Sequence, residues 1–270
     1  MILNFKEMIV SYQKSGLSVE LASARVCQDV VLKAISLSPF GKNVTVKGGV
    51  VMQNLTRNIR RSTRDLDLDF IHYSLEDSSI QKFVESLNCL DGVSLVIDGV
   101  LEELKHQDYH GKSASLKIVD NFGTTLKCKI DFGVHKRLEL TQEEFCFDVA
   151  FDEQGVCLLK NSVEQAFAEK LRSLLIFGPY SRRFKDIFDM FFLKDVVDKF
   201  KLAAIVRILI FEDEEMREGS FDEIVKRLDF TFKDSQYIKR LSESRQRWLD
   251  NDIQEIIEEL QKFIKKLTNG

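Results

Sequence analysis

The run Asp65-Leu66-Asp67-Leu68-Asp69-Phe70 alternates carboxylates with apolar side chains at a period of two. That period fits a β-strand with one apolar and one acidic face. Successive acids on such a strand stand about 7 Å apart, two rises of roughly 3.3 Å each. Aspartate is a poor strand former and aligned like charges repel, so the acidic face needs water or a cation against it. Mg2+ suits this face, because it takes oxygen ligands from one or two carboxylates and completes its shell with phosphates and water. The solvated face of an edge strand would read the same way, so the surroundings of the run have to be weighed with it.

Upstream, Val44-Thr45-Val46-Lys47 reads as a strand that enters Gly48-Gly49, and a helix-like Val50-Val51-Met52-Gln53-Asn54-Leu55 follows. Two glycines at a helix start let backbone N–H groups meet a phosphate with no side chain in the way. A plain strand-to-helix turn has the same composition. Downstream, Leu126, Cys128, Ile130 and Phe132 alternate with Lys127, Lys129 and Asp131. If this strand lies beside Arg64–Phe70, Asp131 joins Asp65 and Asp67 as the third acid of a two-metal site. Otherwise Asp131 is a surface carboxylate paired with its lysine neighbours.

The chain of 270 residues, 44% hydrophobic and 30% charged, can bury a sizeable core. Its apolar runs fall short of the roughly 20 residues that cross a bilayer. Met1 to Glu7 lacks the pattern of a secretory leader. We therefore expect a cytoplasmic protein with no membrane partner. Cys27, Cys89, Cys128, Cys146 and Cys157 are scattered and odd in number, which reads as reduced core thiols. His72, His106, His110 and His135 lack metal-ligand spacing and read as surface or polar-core residues. A net charge of −4 excludes a globally basic nucleic-acid binder, but Arg57, Arg60, Arg61 and Arg64 form a local basic cluster.

The expected class is α+β, with a mixed sheet in residues 1–160 and a helical bundle in 161–270. In the first part the pattern predicts a helix after Ser18, with Val26, Val30, Ala34 and Leu37 on one face. Strands follow at 44–47, 64–70, 94–97, 113–119 and 124–132. The second part predicts helices near 163–177, 181–197, 202–211, 221–228, 235–249 and 252–267. The apolar stripe Ile253, Ile256, Ile257, Leu260, Phe263, Ile264 and Leu267 on the last of them is a packing face.

Lys47-Gly48-Gly49 followed by Arg61-Ser62-Thr63-Arg64-Asp65-Leu66-Asp67-Leu68 resembles the start of the AbiEii/AbiGii-type nucleotidyltransferase toxins. The segment Glu164 to Leu174, which contains Lys170, and then Arg182-Arg183-Phe184-Lys185-Asp186-Ile187-Phe188-Asp189-Met190 resemble that family's helical motifs. The resemblance runs from about Val46 to Leu193. It implies a polymerase-beta-like nucleotidyltransferase core in 1–160, with a helical part in 161–270 that completes the nucleotide site. Residue by residue, it implies that Gly48 and Gly49 approach the triphosphate and that Asp65 and Asp67 bind Mg2+ or Mn2+. Lys170 would hold phosphate oxygens with Arg183 close by, and Asp186 would contact nucleotide or orient basic residues. Such enzymes place Ser or Thr directly after the two glycines, where this chain has Val50. Thr63 is then the nearest small hydroxyl.

Read from the residues alone, Lys170 could equally sit on the solvated side of its helix. Arg182, Arg183, Lys185, Asp186 and Asp189 could form a salt-bridge network along one helix. The expected reaction moves a nucleoside monophosphate from a nucleoside triphosphate to an acceptor hydroxyl, with Asp131 as acceptor-side metal ligand or general base. The arginine cluster favours RNA, such as tRNA, as acceptor, and the resemblance adds a cognate antitoxin as partner. The competing readings are transfer to an antibiotic-like small molecule, a catalytically inactive binding module of the same fold, and a helical partner-binding protein with surface acids.

Overall fold

The computed structural model describes residues 2–104, 111–135, 137 and 139–267. His106 and His110 lie outside the described residues. The chain divides into two compact units, Met1–Asn161 and Ser162–Gly270.

In the first unit, α1 (Phe5–Lys14) and α2 (Val19–Leu37) precede β1 (Val44–Lys47), α3 (Gly48–Thr56) and a 3-10 turn, Ile59–Arg61. Then come β2 (Leu66–Phe70), α4 (Asp77–Ser86), β3 (Ser94–Ile97), β4 (Glu102–Glu103), β5 (Lys112–Val119), β6 (Thr125–Val134), β7 (Glu143–Val149) and β8 (Asp152–Lys160). Among the described residues, eight strands make one sheet in the order β3-β5-β6-β2-β1-β8-β7, with β4 also paired to β5. The sheet is mixed, since β2 runs parallel to β6 and β1 parallel to β8 while the remaining pairs are antiparallel.

Ser18 starts α2 by accepting the Leu21 N–H at 3.3 Å, and the chain leaves the helix at Ser38, ahead of Pro39. Val26, Val30 and Ala34 are fully buried, but Leu37, at the helix end, is 54% exposed and drops out of the expected face. Leu66, Leu68 and Phe70 are fully buried, as the alternation of β2 requires. Phe70 stacks on Phe132 of β6 with centroids 5.3 Å apart, and Phe83 of α4 meets both rings edge-on. These aromatic contacts hold the β2–β6 register, because a slip by one residue would turn the buried set to the opposite face.

The hairpin β7–β8 and the helices α1 and α4 add to what the sequence pattern predicts. In β7, Glu143 to Val149 carries a register irregularity at Phe147 and Val149, and the turn at Ala150-Phe151 lacks the usual glycine or asparagine signal. This hairpin corrects the cysteine expectation: Cys146 and Cys157 are register partners on exposed positions and are joined by a disulfide. Cys27 and Cys128 are buried thiols, as expected, whereas Cys89 is exposed.

On the buried face of α2, Asp29 is completely buried and pairs with Arg25 Nε at 3.2 Å. It accepts the Tyr12 hydroxyl and, at 3.0 Å, the Ala150 N–H, while Asp148 adds like charge. Burial pushes the Asp29 carboxyl up to about 6, against the pull of Arg25 and the hydrogen bonds. A carboxylate raised on folding contributes stability that is fully present below its unfolded value near 4 and is lost as pH rises through about 6. The stability of wild type minus that of Asp29→Asn should therefore fall between pH 4 and pH 7, by up to about 3 kcal/mol. Urea unfolding of both proteins across this range measures the gap; a gap that widens with pH would refute the assignment.

The second unit consists of α5 (Val163–Phe177), a 3-10 turn Gly178–Tyr180, α6 (Phe184–Leu193) and α7 (Lys199–Val206), which runs into a π-helical turn, Arg207–Phe211. It continues with α8 (Phe221–Lys233), α9 (Ser235–Ser242) and α10 (Ile253–Lys266). Ser162, Asp198, Ser220, Asp234 and Asp252 cap α5, α7, α8, α9 and α10 through their side chains. The α10 stripe is buried, which makes it a packing face as expected. The expected helix at 235–249 stops at Ser242. Arg247 then turns the chain by donating to the carbonyls of Leu249, Asp250 and Asn251 at 3.0, 3.1 and 2.7 Å. No described helix is long and apolar enough to cross a membrane.

Candidate active site

The acidic face of the first unit is assembled by two parallel strands, with Asp67 of β2 directly beside Asp131 of β6 in register. Asp65 lies exposed immediately before β2. Strands lie about 4.8 Å apart. Two unit charges at about 5 Å repel by about 3 kcal/mol at an effective dielectric of about 20, so positive charge beside the pair stabilises it. Lys129, two positions before Asp131 on the same face, places Nζ 3.0 Å from Asp131 Oδ2. Burial alone would lower the Lys129 ammonium; the bond to Asp131 and the charges of Asp131, Asp65 and Asp67 outweigh it and hold the group above its ordinary value.

Asp69 does not share this role. It is buried and pairs with Lys47 Nζ at 2.8 Å, which fixes the end of β1 against β2. Lys47 leads directly into α3. Gly48 has φ +67°, and a Cβ there would lie 2.0 Å from Asp67 Oδ2. A Cβ on Gly49 would lie 2.5 Å from Thr63 Oγ1. Both glycines are thus required by close approach, one to a candidate metal ligand and the other to the hydroxyl expected to serve phosphate. Val50 is fully buried, so its side chain belongs to the core. Thr63 is positioned through its backbone: its carbonyl accepts from Gln28 Nε2 at 3.1 Å and its N–H donates to Gln53 Oε1 at 3.3 Å. Gln28 and Gln53 carried no signal in the sequence, since their role depends on contacts 35 and 10 residues away.

The donor set suits a hard cation. Asp131 Oδ1 is buried without a hydrogen-bond partner, and every candidate ligand is a carboxylate oxygen. Among the described residues no group of three or more His, Cys, Asp or Glu side chains is placed to hold a metal ion, so a cation here would rest on fewer protein ligands. A cation at Asp67 and Asp131 would complete its shell from triphosphate and water, as Mg2+ commonly does.

In the helical unit, Lys170 of α5 is buried, with Nζ 2.9 Å from both Asp186 Oδ1 and Asp189 Oδ2 of α6. Arg183 Nε holds the other Asp186 oxygen at 2.8 Å, and Trp248 Nε1 donates to Asp189 Oδ1 at 3.1 Å. The solvated-helix reading of Lys170 is thereby corrected, because burial next to two carboxylates makes it the hub of an inter-helix network. The network is also not confined to one helix. The basic cluster needs a similar correction: Arg57, Arg60 and Arg64 are exposed, but Arg61 is only 3% exposed and lies in the interior. His72 is on the surface, and His135 is buried with Nε2 3.0 Å from the Leu140 carbonyl.

The family model described as nucleotidyl transferase AbiEii toxin, type IV toxin–antitoxin system, matches residues 30–251. The chain belongs to this AbiEii nucleotidyltransferase toxin family. The match spans Gly48-Gly49, the Asp65 to Asp69 run, Asp131 and the Lys170 network, and the mixed sheet followed by helices agrees with a nucleotidyltransferase fold. Among solved structures nine chains match. One is the crystal structure of an antigenic nucleotidyltransferase-like protein from Paracoccidioides brasiliensis, 15% identical, covering 83% of this chain and 93% of that one, with a TM-score of 0.47. No curated protein sequence matches.

Proposed function

We propose that this AbiEii-family chain transfers a nucleoside monophosphate from a nucleoside triphosphate to a hydroxyl of RNA, of the tRNA class, as the toxin partner of a cognate antitoxin. The observation that carries the reading is the parallel registration of Asp67 with Asp131 beside the glycine start of α3. Asp65, Asp67 and Asp131 would hold Mg2+ or Mn2+, which when bound activates the acceptor oxygen and neutralises charge on the leaving pyrophosphate.

The chain's own groups account for the remaining steps. The N–H groups at Gly48 and Gly49 bind phosphate oxygens at the helix start, and the Thr63 hydroxyl adjoins them where Val50 offers none. Asp131 accepts the acceptor proton as the new O–P bond forms at the α-phosphorus and the bond to the β-phosphate breaks, releasing pyrophosphate. Within the helical unit, Lys170 holds Asp186 and Asp189, and Asp186 in turn orients the half-exposed Arg183. Arg57, Arg60 and Arg64 provide a basic surface for a polyanion.

The test incubates the protein with each α-labelled nucleoside triphosphate, Mg2+ and either total bacterial RNA or a small-molecule extract. Label should enter RNA. Arg60→Ala with Arg64→Ala should weaken RNA binding and flatten its salt dependence by about 0.7 in log–log slope for each lost phosphate contact. Label only in small molecules would move the acceptor to an antibiotic-like class. No label from any nucleotide would establish the inactive binding module instead.

A further inference from the structure

Lys129 occupies a position that the transfer reaction does not use. Its side chain is 45% exposed, while that of its partner Asp131 is 7% exposed. One Asp131 oxygen is 3.0 Å from the ammonium and the other is buried without a hydrogen-bond partner. Asp67 stands in register on the neighbouring strand. The Lys129 ammonium therefore places positive charge directly on Asp131, and it does so from a half-exposed position from which it can withdraw.

We propose that Lys129 is a tethered counter-ion that competes with the divalent cation for Asp131, orienting this carboxylate until the cation replaces the ammonium. The proposal rests on the metal-site reading of Asp65, Asp67 and Asp131 given above. In this role Lys129 is a positioning residue. It stabilises the metal-free protein, weakens the binding of a cation that arrives without nucleotide, and limits occupancy of the site by free metal.

Charge competition sets the direction of the expected effect. Removing the ammonium leaves Asp131 with the same ligand atoms and without the Lys129 charge that competes for them, so the metal should bind more tightly. Lys127, on the same face of β6, provides a control: its Nζ pairs with Asp98 at 2.8 Å and its side chain is 78% exposed. Its removal changes net charge equally without touching Asp131.

The experiment titrates Mn2+ into the full chain without nucleotide, following the free-ion paramagnetic signal, for wild type, Lys129→Met, Lys129→Gln, Lys129→Arg and Lys127→Met. The two neutral variants at 129 should bind Mn2+ roughly fivefold more tightly, in line with a partly exposed ion pair of about 1 kcal/mol. Lys129→Arg and Lys127→Met should match wild type. In an Asp131→Asn background, Lys129→Met should lose its effect. Should one neutral variant fail to fold, the other still reports the competition. Unchanged or weaker Mn2+ binding by folded neutral variants, with clear binding by wild type, overturns the role of Lys129 alone. Absence of Mn2+ binding by wild type overturns the metal-site reading and this inference with it.

Discussion

Asp67→Asn is expected to lower Mg2+-dependent nucleotide transfer by roughly 10²–10³, the scale set by losing one preorganised charged or polar group at a reacting centre. The substitution keeps shape and removes charge, so folding should be preserved and the loss should appear in turnover. Gly48→Ala should produce a comparable loss by geometry. Its Cβ would lie 2.0 Å from Asp67 Oδ2, at a backbone φ of +67° that side-chain-bearing residues adopt at a cost of about 1–2 kcal/mol. Either the carboxylate moves or the start of α3 does, and both shifts disturb the proposed contacts to metal and phosphate. Transfer assays paired with thermal melts separate the two variants: Asp67→Asn should melt near wild type, whereas Gly48→Ala should melt several degrees lower. Full transfer by folded Asp67→Asn at ordinary Mg2+ would remove Asp67 from the metal site.

The acidic face was legible in the sequence because its information is local. A period of two put Leu66, Leu68 and Phe70 inside, and the same rule put Leu126, Cys128, Ile130 and Phe132 inside on β6. That β2 and β6 lie side by side in parallel, with Asp67 opposite Asp131, is a long-range fact that periodicity does not contain. It depends on the stacking of Phe70 on Phe132 and on Phe83 from α4, a helix that the sequence pattern does not predict. The role of Asp69 was hidden for the same reason, since only the antiparallel pairing of β1 with β2 brings Lys47 to it. The Cys146–Cys157 disulfide could be expected only after the β7–β8 register was known, and that hairpin lacks a glycine-bearing turn. In the helical unit the apolar pattern placed α5 and α10, whereas α6 is shorter than expected, α8 runs on to Lys233 and α9 stops at Ser242. The pairing of Lys170 with residues sixteen and nineteen positions later belongs to α5–α6 packing.

That packing leads to the largest stability effect we expect. Lys170 is 8% exposed, and its ammonium is the cation between Asp186 and Asp189, which are 6% and 0% exposed. Lys170→Ala would remove the ammonium shared by two buried carboxylates, with Arg183 still on Asp186 and the Trp248 N–H still on Asp189. Removing one partner of a buried ion pair costs about 3–5 kcal/mol, chiefly because the charge left behind is uncompensated. By that logic the cost should shrink when the remaining charge is removed as well, so Lys170→Met with Asp189→Asn should be more stable than Lys170→Met alone. Arg172→Ala provides a contrast: Arg172 binds Asp213 and Glu215 at 3.2 Å each, but their side chains are 22% and 76% exposed, and water can replace the guanidinium. Its cost should be nearer 1 kcal/mol. Denaturant unfolding of the four variants measures these differences directly. A Lys170→Ala protein that unfolds at the same denaturant concentration as wild type would show that Lys170 is not the structural hub. Any loss of transfer in that variant would then report on phosphate contact. With the predicted destabilisation, transfer by Lys170→Ala must be measured at a temperature where the variant is fully folded before its kinetics bear on the nucleotide.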